Sequence, residues 1–220
     1  MKELIKIYLN PKENLTYVKN NPKPYGKLFF FYVLPFSLFP ILGYLIGFTV
    51  LKDSYISSLS KFIEMLKADP KASVLTIQYA TKVLTMIQNN DTVKMFSFLF
   101  IAWLFEIFKP IFLTGLVYFF GKAFGGEDNP LKVFNLVVLA VIPVWIAGIS
   151  YMVNSPVNAF LMFLSSFYMF YLIFVGAEKV LGIPSENSKN FQFIVVIVIF
   201  YVILSGIIGL LQTNLMEKIL

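Results

Sequence analysis

The sequence predicts an all-α polytopic membrane protein: a five-transmembrane-helix bundle with amphipathic N-terminal helices and an extramembrane helical hairpin. Hydrophobic residues make up 58% of the 220 residues and charged residues only 14%, whereas an average soluble domain has roughly 45–50% apolar and about 25% charged residues. The charges are clustered between long apolar runs. So large an apolar fraction cannot be hidden in one small water-soluble core, and it requires lipid as part of its solvent.

Residues 1–27 form a cationic amphipathic segment that contains six lysines. Two short helices are expected in it, because Asn10 is a good N-cap and Pro11 is favoured at the first helical position. The second helix should extend to about Asn20 and end before Pro22. We expect the segment to lie on the membrane surface, with its lysines near anionic lipid headgroups. A solvated tail with some helix is the alternative.

Residues 28–220 form the membrane domain, in which five apolar runs are each long enough to cross a bilayer as a helix. A membrane-spanning helix needs about 20 apolar residues, because the hydrocarbon core is roughly 30 Å thick. Polar loops separate neighbouring runs, and a short polar tail follows the last one. The predicted spans are approximately residues 28–51, 95–120, 131–152, 157–177 and 191–211.

Between the first two spans, residues 54–90 predict a helical hairpin outside the hydrocarbon core. Apolar side chains recur at helical spacing from Tyr55 to Leu66, which gives one strongly amphipathic face. Asp69 and Pro70 are expected to restart a second helix by capping it. The lysines and acidic residues of this region make both helices too polar to span the membrane.

Prolines and glycines inside the spans are candidate positions for kinks and close packing. Pro35 and Pro40 lie in the first span and Pro143 in the third, where membrane helices tolerate proline and bend. Broken helices around a transport site are the alternative. Gly43 and Gly47 are four residues apart in the first span, a spacing that permits two helices to approach closely.

Glu106 and Lys109, two charged residues inside the second span, are the sharpest candidate for a functional site. Residues three apart share a helix face, so these opposite charges can pair. A charge at membrane depth usually faces the bundle interior or water. The functional interpretation is a relay, an ion path or a contact for a partner. The alternative is a structural ion pair, or side chains that extend to the interface.

The loop after the second span contains Gly121, Gly125 and Gly126, and the expected topology places it on the cytoplasmic side. Backbone amides in such a loop can bind an anion. No Lys-Ser/Thr pair follows, so the loop is not a nucleotide-binding loop. A plain turn is the favoured interpretation.

The chain contains no cysteine and no histidine. Disulfides, thiol chemistry, zinc sites with the usual ligands and histidine-ligated haem are therefore excluded. We predict no metal, no cofactor, no catalytic residues and no enzymatic activity, because the usual Ser-His and Cys-His pairs cannot be built. Nucleic-acid binding is not expected either, since the eighteen lysines are spread along the loops of a membrane protein.

The distribution of lysines predicts the orientation of the chain. With the embedded Lys109 set aside, ten lysines lie on the N-terminal side of the five spans and seven on the other side. Six of the ten precede the first span. Because lysines near the ends of spans mark the cytoplasmic side, we expect a cytoplasmic N-terminus and an extracytoplasmic C-terminus.

Three segments of the chain carry a resemblance to a known family. Residues 10–13, Asn-Pro-Lys-Glu, open a short helix ahead of the first span. Residues 118–127 lead through a loop with small residues into residues 134–143, which place a proline within the following span. Residues 168–176 run from Tyr-Met-Phe-Tyr to a glycine. Together these segments resemble the Yip family (Ypt-interacting proteins), which has bacterial and archaeal relatives.

The resemblance implies a five-helix membrane domain with a cytoplasmic N-terminus. Eukaryotic members of the Yip family are non-enzymatic adaptors in vesicle traffic that associate with prenylated Rab-type GTPases and with one another. The short N-terminal region of this chain and its long hairpin after the first span are typical of a prokaryotic-type member. We therefore expect the protein in a prokaryotic cytoplasmic membrane.

The expected function is that of a non-enzymatic integral membrane scaffold or adaptor that acts through protein and lipid contacts in the membrane. Expected partners are membrane lipids, through anionic headgroups at the N-terminal lysines, and other membrane proteins, with a homo-oligomer as a further option. The alternative is a small oligomeric transporter or channel with a pathway near Glu106 and Lys109. A membrane enzyme acting on lipid is the least favoured class, because it would need clustered acids or histidine at the interface.

Overall fold

A computed structural model of the chain describes residues 2–184 and 186–220, and it describes side chains from residue 5 onward except at positions 185 and 187. The described residues fold into α-helices joined by short turns, and no strand occurs among them. Five of the helical segments are long and apolar enough to cross a membrane. The predicted all-α fold with five spans is therefore confirmed.

Ten α-helices follow one another along the described residues. Two short turns of other helix types, a π turn and a 3-10 turn, are built into the spans, and a second 3-10 turn precedes the last helix. The helices are α1 (Lys2–Leu9), α2 (Pro11–Asn20), α3 (Tyr25–Leu28), α4 (Leu34–Thr49), α5 (Lys52–Ala68), α6 (Val74–Gln88), α7 (Thr92–Ala123), α8 (Pro130–Ala147), α9 (Pro156–Lys179) and α10 (Lys189–Ile219).

Each span is longer than the apolar run that predicts it. The last span continues as helix through Gln212 and Glu217, where the sequence predicts a polar tail, because main-chain hydrogen bonds define a helix and Gln, Met, Glu and Lys are good helix formers. The spans are span 1 (Tyr25–Thr49), span 2 (Thr92–Ala123), span 3 (Pro130–Met152), span 4 (Pro156–Lys179) and span 5 (Lys189–Ile219).

Span 1 contains a π-helical turn, Phe29–Val33, immediately before its first proline. The N–H of Leu34 donates to the carbonyl of Phe29, five residues back. Pro35 has no N–H to offer the preceding turn, so the regular hydrogen-bond ladder is interrupted there. A π turn beside a proline is a common way to bend a membrane helix.

The hairpin between spans 1 and 2 consists of α5 and α6, and its second helix begins at Val74. The expectation that Asp69 and Pro70 restart this helix is wrong. The Asp69 carboxylate accepts the N–H of Lys71 at 2.9 Å, a hydrogen bond two residues ahead that makes a turn rather than a helix N-cap. Four turn residues therefore separate Asp69 from α6.

The chain divides into two compact units. Both contain parts of several spans. Unit 1 comprises Met1–Phe36, Ile107–Val144 and Phe163–Leu204, and unit 2 comprises Ser37–Glu106, Trp145–Met162 and Ser205–Leu220.

The core of unit 1 includes the first part of α8. Leu136, Val137, Val138 and Ala140 in this helix are fully buried. Within span 3, 72% of the most apolar stretch is buried by protein, compared with 6% in span 5. Protein therefore covers most of the apolar stretch of span 3, whereas most of that of span 5 is exposed.

The core of unit 2 packs the hairpin against the spans. Tyr55, Leu59 and Ile63 of α5 are buried, as the amphipathic pattern of that helix predicts. They share one apolar cluster with Phe48 of span 1 and Met216 of span 5. Lys82 of α6 pairs with Glu217 at 2.8 Å and ties the hairpin to the end of span 5.

Candidate functional site

The N-terminal segment docks onto the membrane helices of unit 1. Ile7, Leu15 and Val18 have exposed fractions of 4%, 0% and 5%, so the apolar side of α1 and α2 is covered by protein. The other side still exposes Ile5 and Leu9, so the predicted position on the membrane surface stays a prediction for that side. Met1 and the side chains of the next three residues lie outside the described residues.

Tyr8 of α1 satisfies a carbonyl that a proline leaves free. Its phenol donates to the main-chain oxygen of Leu139 in span 3 at 2.9 Å. The helical partner of that oxygen would be the N–H of residue 143, which is a proline and has none. Pro143 thus creates the acceptor, and α1 supplies the donor from 131 residues away in the sequence.

A second tyrosine, in span 4, also holds Tyr8 in place. The phenol of Tyr168 donates to the main-chain oxygen of Tyr8, which lies at the C-terminal end of α1, where carbonyls have no helical partner. The two rings lie 6.4 Å apart. Burial, the largest cause, raises the pKa of Tyr8 far above its ordinary value, with a further contribution from Tyr168. The phenol of Tyr8 therefore keeps the proton that it donates.

Asn135 of span 3 holds the end of the N-terminal segment. Its amide oxygen accepts the N–H of Lys23 at 2.9 Å, and its amide nitrogen donates to the carbonyl of Lys23 at 2.9 Å. The same nitrogen donates to Leu131 at 2.8 Å. Asn135 is only 1% exposed, and this cyclic pair satisfies both ends of its amide. Beside it, Tyr25 packs on Phe134 with ring centroids 5.4 Å apart.

Glu127 ties the loop between spans 2 and 3 to three other elements. Its carboxylate lies 2.6 Å from the amine of Lys19 in α2 and 2.6 Å from that of Lys132 in α8. Its N–H donates to the carbonyl of Leu181, after span 4, at 2.7 Å. The hydrogen bonds from Lys132 and then Lys19 lower the pKa of Glu127 below its ordinary value, because they stabilise the charged form.

The three loop glycines form a helix C-terminal turn. The N–H of Gly126 donates to the carbonyl of Gly121 and that of Gly125 to Lys122, which closes the end of α7. Gly125 has φ of +87°, and a Cβ on Gly126 would lie 2.8 Å from the oxygen of Gly121. The amides of Gly125, Gly126 and Glu127 are thus occupied by main-chain carbonyls. These hydrogen bonds have the pattern of a turn, and an anion-binding role for the loop stays a prediction.

Glu106 is buried in unit 2 and accepts a hydrogen bond from a tryptophan. The indole N–H of Trp145 lies 3.2 Å from its carboxylate, and Glu106 is 9% exposed. Trp103 likewise donates to the hydroxyl of the fully buried Ser37 at 3.0 Å. Lys109, half-buried, follows Glu106 by one turn of α7. The functional role of Glu106 and Lys109 stays a prediction. Trp145 is not identifiable from the sequence, because a tryptophan in an apolar run gives no sign of its donor role.

Gly43 and Gly47 of span 1 lie where its backbone meets span 3 in unit 2. A Cβ on Gly43 would lie 2.7 Å from the oxygen of Gly148, and one on Gly47 would lie 2.8 Å from the oxygen of Met152. A Cβ on Gly148 would in turn meet the ring of Pro40 at 2.5 Å. Pro40, Gly43 and Gly47 therefore share one close helix contact, and Gly148 is the partner that the sequence pattern did not identify.

Comparison with known proteins gives one match. The family model of the Yip1 domain matches residues 5–207. The match begins in α1 and ends in α10, so it includes the docked N-terminal segment and reaches all five spans. No curated protein and no solved structure matches the chain. Across the described residues, no three acidic side chains converge, so no metal site is assigned there.

Proposed function

The chain belongs to the Yip1 domain family and is an integral membrane protein, and from this premise we propose that it is a non-enzymatic scaffold or adaptor. In this proposal it binds other membrane proteins and lipids and holds them together in the plane of the membrane. Its binding surface consists of α1, α2, the loop of residues 124–129 and the loop of residues 180–184. We call this the docked surface.

The observation that carries the proposal is the fixed position of the N-terminal segment. Tyr8 and Glu127 tie the docked surface to span 3, through the carbonyl of Leu139 and the amine of Lys132. Lys23, just after α2, is held by Asn135 of the same span. A surface that is already ordered loses little conformational entropy on binding, so it suits recognition of a partner. Its exposed charges favour electrostatic steering of that partner.

We further propose that the docked surface faces the cytoplasm of a prokaryotic cell and that the C-terminus lies outside. The six lysines within residues 1–27 support this orientation. The chain has no native cysteine, so a single cysteine at Asn20 or at Lys67 of α5 reports one side of the membrane. An impermeant maleimide added to intact cells should label the cysteine at Lys67 and not the one at Asn20. The reverse pattern would overturn the orientation.

Site-specific photo-crosslinking tests the adaptor proposal. A photoreactive residue replaces Asn20, which is exposed on the docked surface, and in a matched control it replaces Phe200, which is exposed on span 5. We expect membrane-protein partners to be captured from position 20 at native abundance. We expect this capture to decrease in the Asn135→Ala variant, which loosens the segment. Only self-crosslinks from position 20 would contradict a role in binding other proteins.

A second candidate function is a small oligomeric transporter or channel, and the buried carboxylate of Glu106 favours it. A charged group at membrane depth is costly and often belongs to an ion or proton path. Flux of protons or cations into liposomes that contain the wild type, and its loss in Glu106→Gln, would support transport. Equal and negligible flux in both proteins would leave the adaptor as the proposal.

A further inference from the structure

A pocket of about 200 Å³ lies in the N-terminal segment, lined by Lys6 and Ile7 of α1 and by Asn14 and Tyr17 of α2. Ile7 is buried and forms an apolar wall, whereas Lys6 and Tyr17 are exposed at the rim. The amide nitrogen of Asn14 donates to the carbonyls of Lys6 and Asn10, at 3.2 and 2.8 Å. These bonds hold α1 against α2 and fix the shape of the pocket.

We propose that this pocket binds the headgroup of an anionic phospholipid that carries hydroxyl groups, such as phosphatidylglycerol. The inference rests on the proposed function, in which the segment contacts membrane lipid, and it names the site and the class of lipid. The amine of Lys6 supplies donors for the phosphate. Both hydrogens of the Asn14 amide nitrogen are used, so its amide oxygen is an acceptor for a headgroup hydroxyl.

The charge around the pocket suits an anion. Residues 1–27 contain six lysines and two glutamates, a net charge of +4 from 6 − 2. No acidic side chain that the structure describes forms an ion pair with Lys6. A lysine beside a membrane attracts anionic headgroups. Lys19, in contrast, is already paired with Glu127.

The surroundings favour a lipid over a soluble phosphate. Ile5 is 54% exposed, Leu9 is 81% exposed and Tyr17 is 49% exposed, all on the two helices that form the pocket. Aromatic and aliphatic side chains beside lysines are typical of helices that lie in the membrane interface. A free phosphate ion would leave these apolar groups in water, whereas a phospholipid covers them with its glycerol and acyl chains.

Lipid retention by the purified full chain tests the proposal. Native mass spectrometry measures how much phosphatidylglycerol or phosphatidylcholine stays bound after release from detergent micelles. We expect phosphatidylglycerol to be retained preferentially. Lys6→Gln should lower its retention about tenfold, since it removes a charged hydrogen-bond donor. Lys12→Gln, an exposed lysine outside the pocket, is the matched control and should change retention less than twofold.

Three results would overturn the proposal: equal retention of both lipids, equal loss in Lys6→Gln and Lys12→Gln, or full displacement of the lipid by millimolar inorganic phosphate. The last would assign the pocket to a soluble anion. Lys6 is exposed, so Lys6→Gln should fold, and its unchanged melting temperature in lipid-free detergent verifies this. The assay contains no partner protein, so its failure is distinct from a failure of crosslinking at position 20.

Discussion

The phenol of Tyr8 donates a hydrogen bond to the main-chain oxygen of Leu139, the carbonyl in span 3 that Pro143 leaves without a helical partner. A proline inside a membrane helix needs such compensation, because lipid offers no hydrogen bonds. The donor comes from an amphipathic helix that precedes the first span. The N-terminal segment is therefore a structural part of the membrane domain.

Tyr8→Phe should destabilise the protein by about 1–3 kcal/mol, because it leaves a buried carbonyl unsatisfied while it retains the aromatic ring. The free energy of unfolding can be measured by denaturant titration in mild detergent. Tyr17→Phe removes the same hydroxyl from a tyrosine that is 49% exposed, and it should change stability by less than about 0.5 kcal/mol. Equal effects of the two changes would contradict the assignment.

Asn135→Ala should release the N-terminal segment locally before the protein unfolds as a whole. The change removes both bonds to Lys23 and leaves its backbone groups without partners. Trypsin should then cleave after Lys19 several times faster than in the wild type. Asn214→Ala removes an exposed asparagine whose side chain donates to the carbonyl of Leu210, four residues back in its own helix, and should leave the cleavage rate unchanged. A rate unchanged by Asn135→Ala would show that the pair does not hold the segment.

The stability of the loop around Glu127 should depend on pH below its ordinary pKa of 4.5. Lys132 and Lys19 lower the pKa of Glu127 in the folded state, so the ion pairs stabilise the protein at any pH above the pKa of the unfolded state. That stabilisation is lost as the pH falls through the lower pKa of the folded state. The carboxylate is 38% exposed, so solvent screening keeps the effect small. When the pH is lowered from 7 to 3, the unfolding midpoint should fall less in Glu127→Gln than in the wild type. An equal decrease of the midpoint in both proteins would refute this.

Gly43→Ala should destabilise unit 2 by about 1–3 kcal/mol, because its Cβ would lie 2.7 and 2.8 Å from two main-chain oxygens that cannot move freely. Gly206→Ala is the matched control in the same unit, since a Cβ there meets nothing within 4 Å. Alanine is a better helix former than glycine, so Gly206→Ala should be neutral or stabilising by up to about 1 kcal/mol. Thermal unfolding of both variants in detergent measures the two effects. A Gly43→Ala variant as stable as the wild type would contradict the close contact between spans 1 and 3.

The sequence predicts the five spans and the hairpin because the signals for both are local. Length and hydropathy define a span, and the spacing from Tyr55 to Ile63 defines the buried side of α5. The prediction that the second hairpin helix starts at Asp69 and Pro70 is wrong. An aspartate carboxylate can either close a turn or cap a helix, and composition does not separate the two.

The long-range hydrogen bonds of the candidate site could not be predicted from the sequence. Asn135 and Lys23 are 112 residues apart, and no periodic pattern connects a tyrosine near the N-terminus to a proline in span 3. Glu106 was identified because a charge in an apolar run is conspicuous. Trp145, its hydrogen-bond donor, blends into the run that surrounds it.

A double-mutant cycle between Tyr8 and Pro143 tests most directly whether the N-terminal segment completes span 3. Pro143→Ala restores an N–H that can bond to Leu139, so the phenol of Tyr8 is no longer the required donor. Tyr8→Phe should then cost at least about 1 kcal/mol less in the Pro143→Ala background than in the wild type. An equal cost in both backgrounds would mean that Tyr8 does not compensate for the proline, and it would contradict this account of the docked segment.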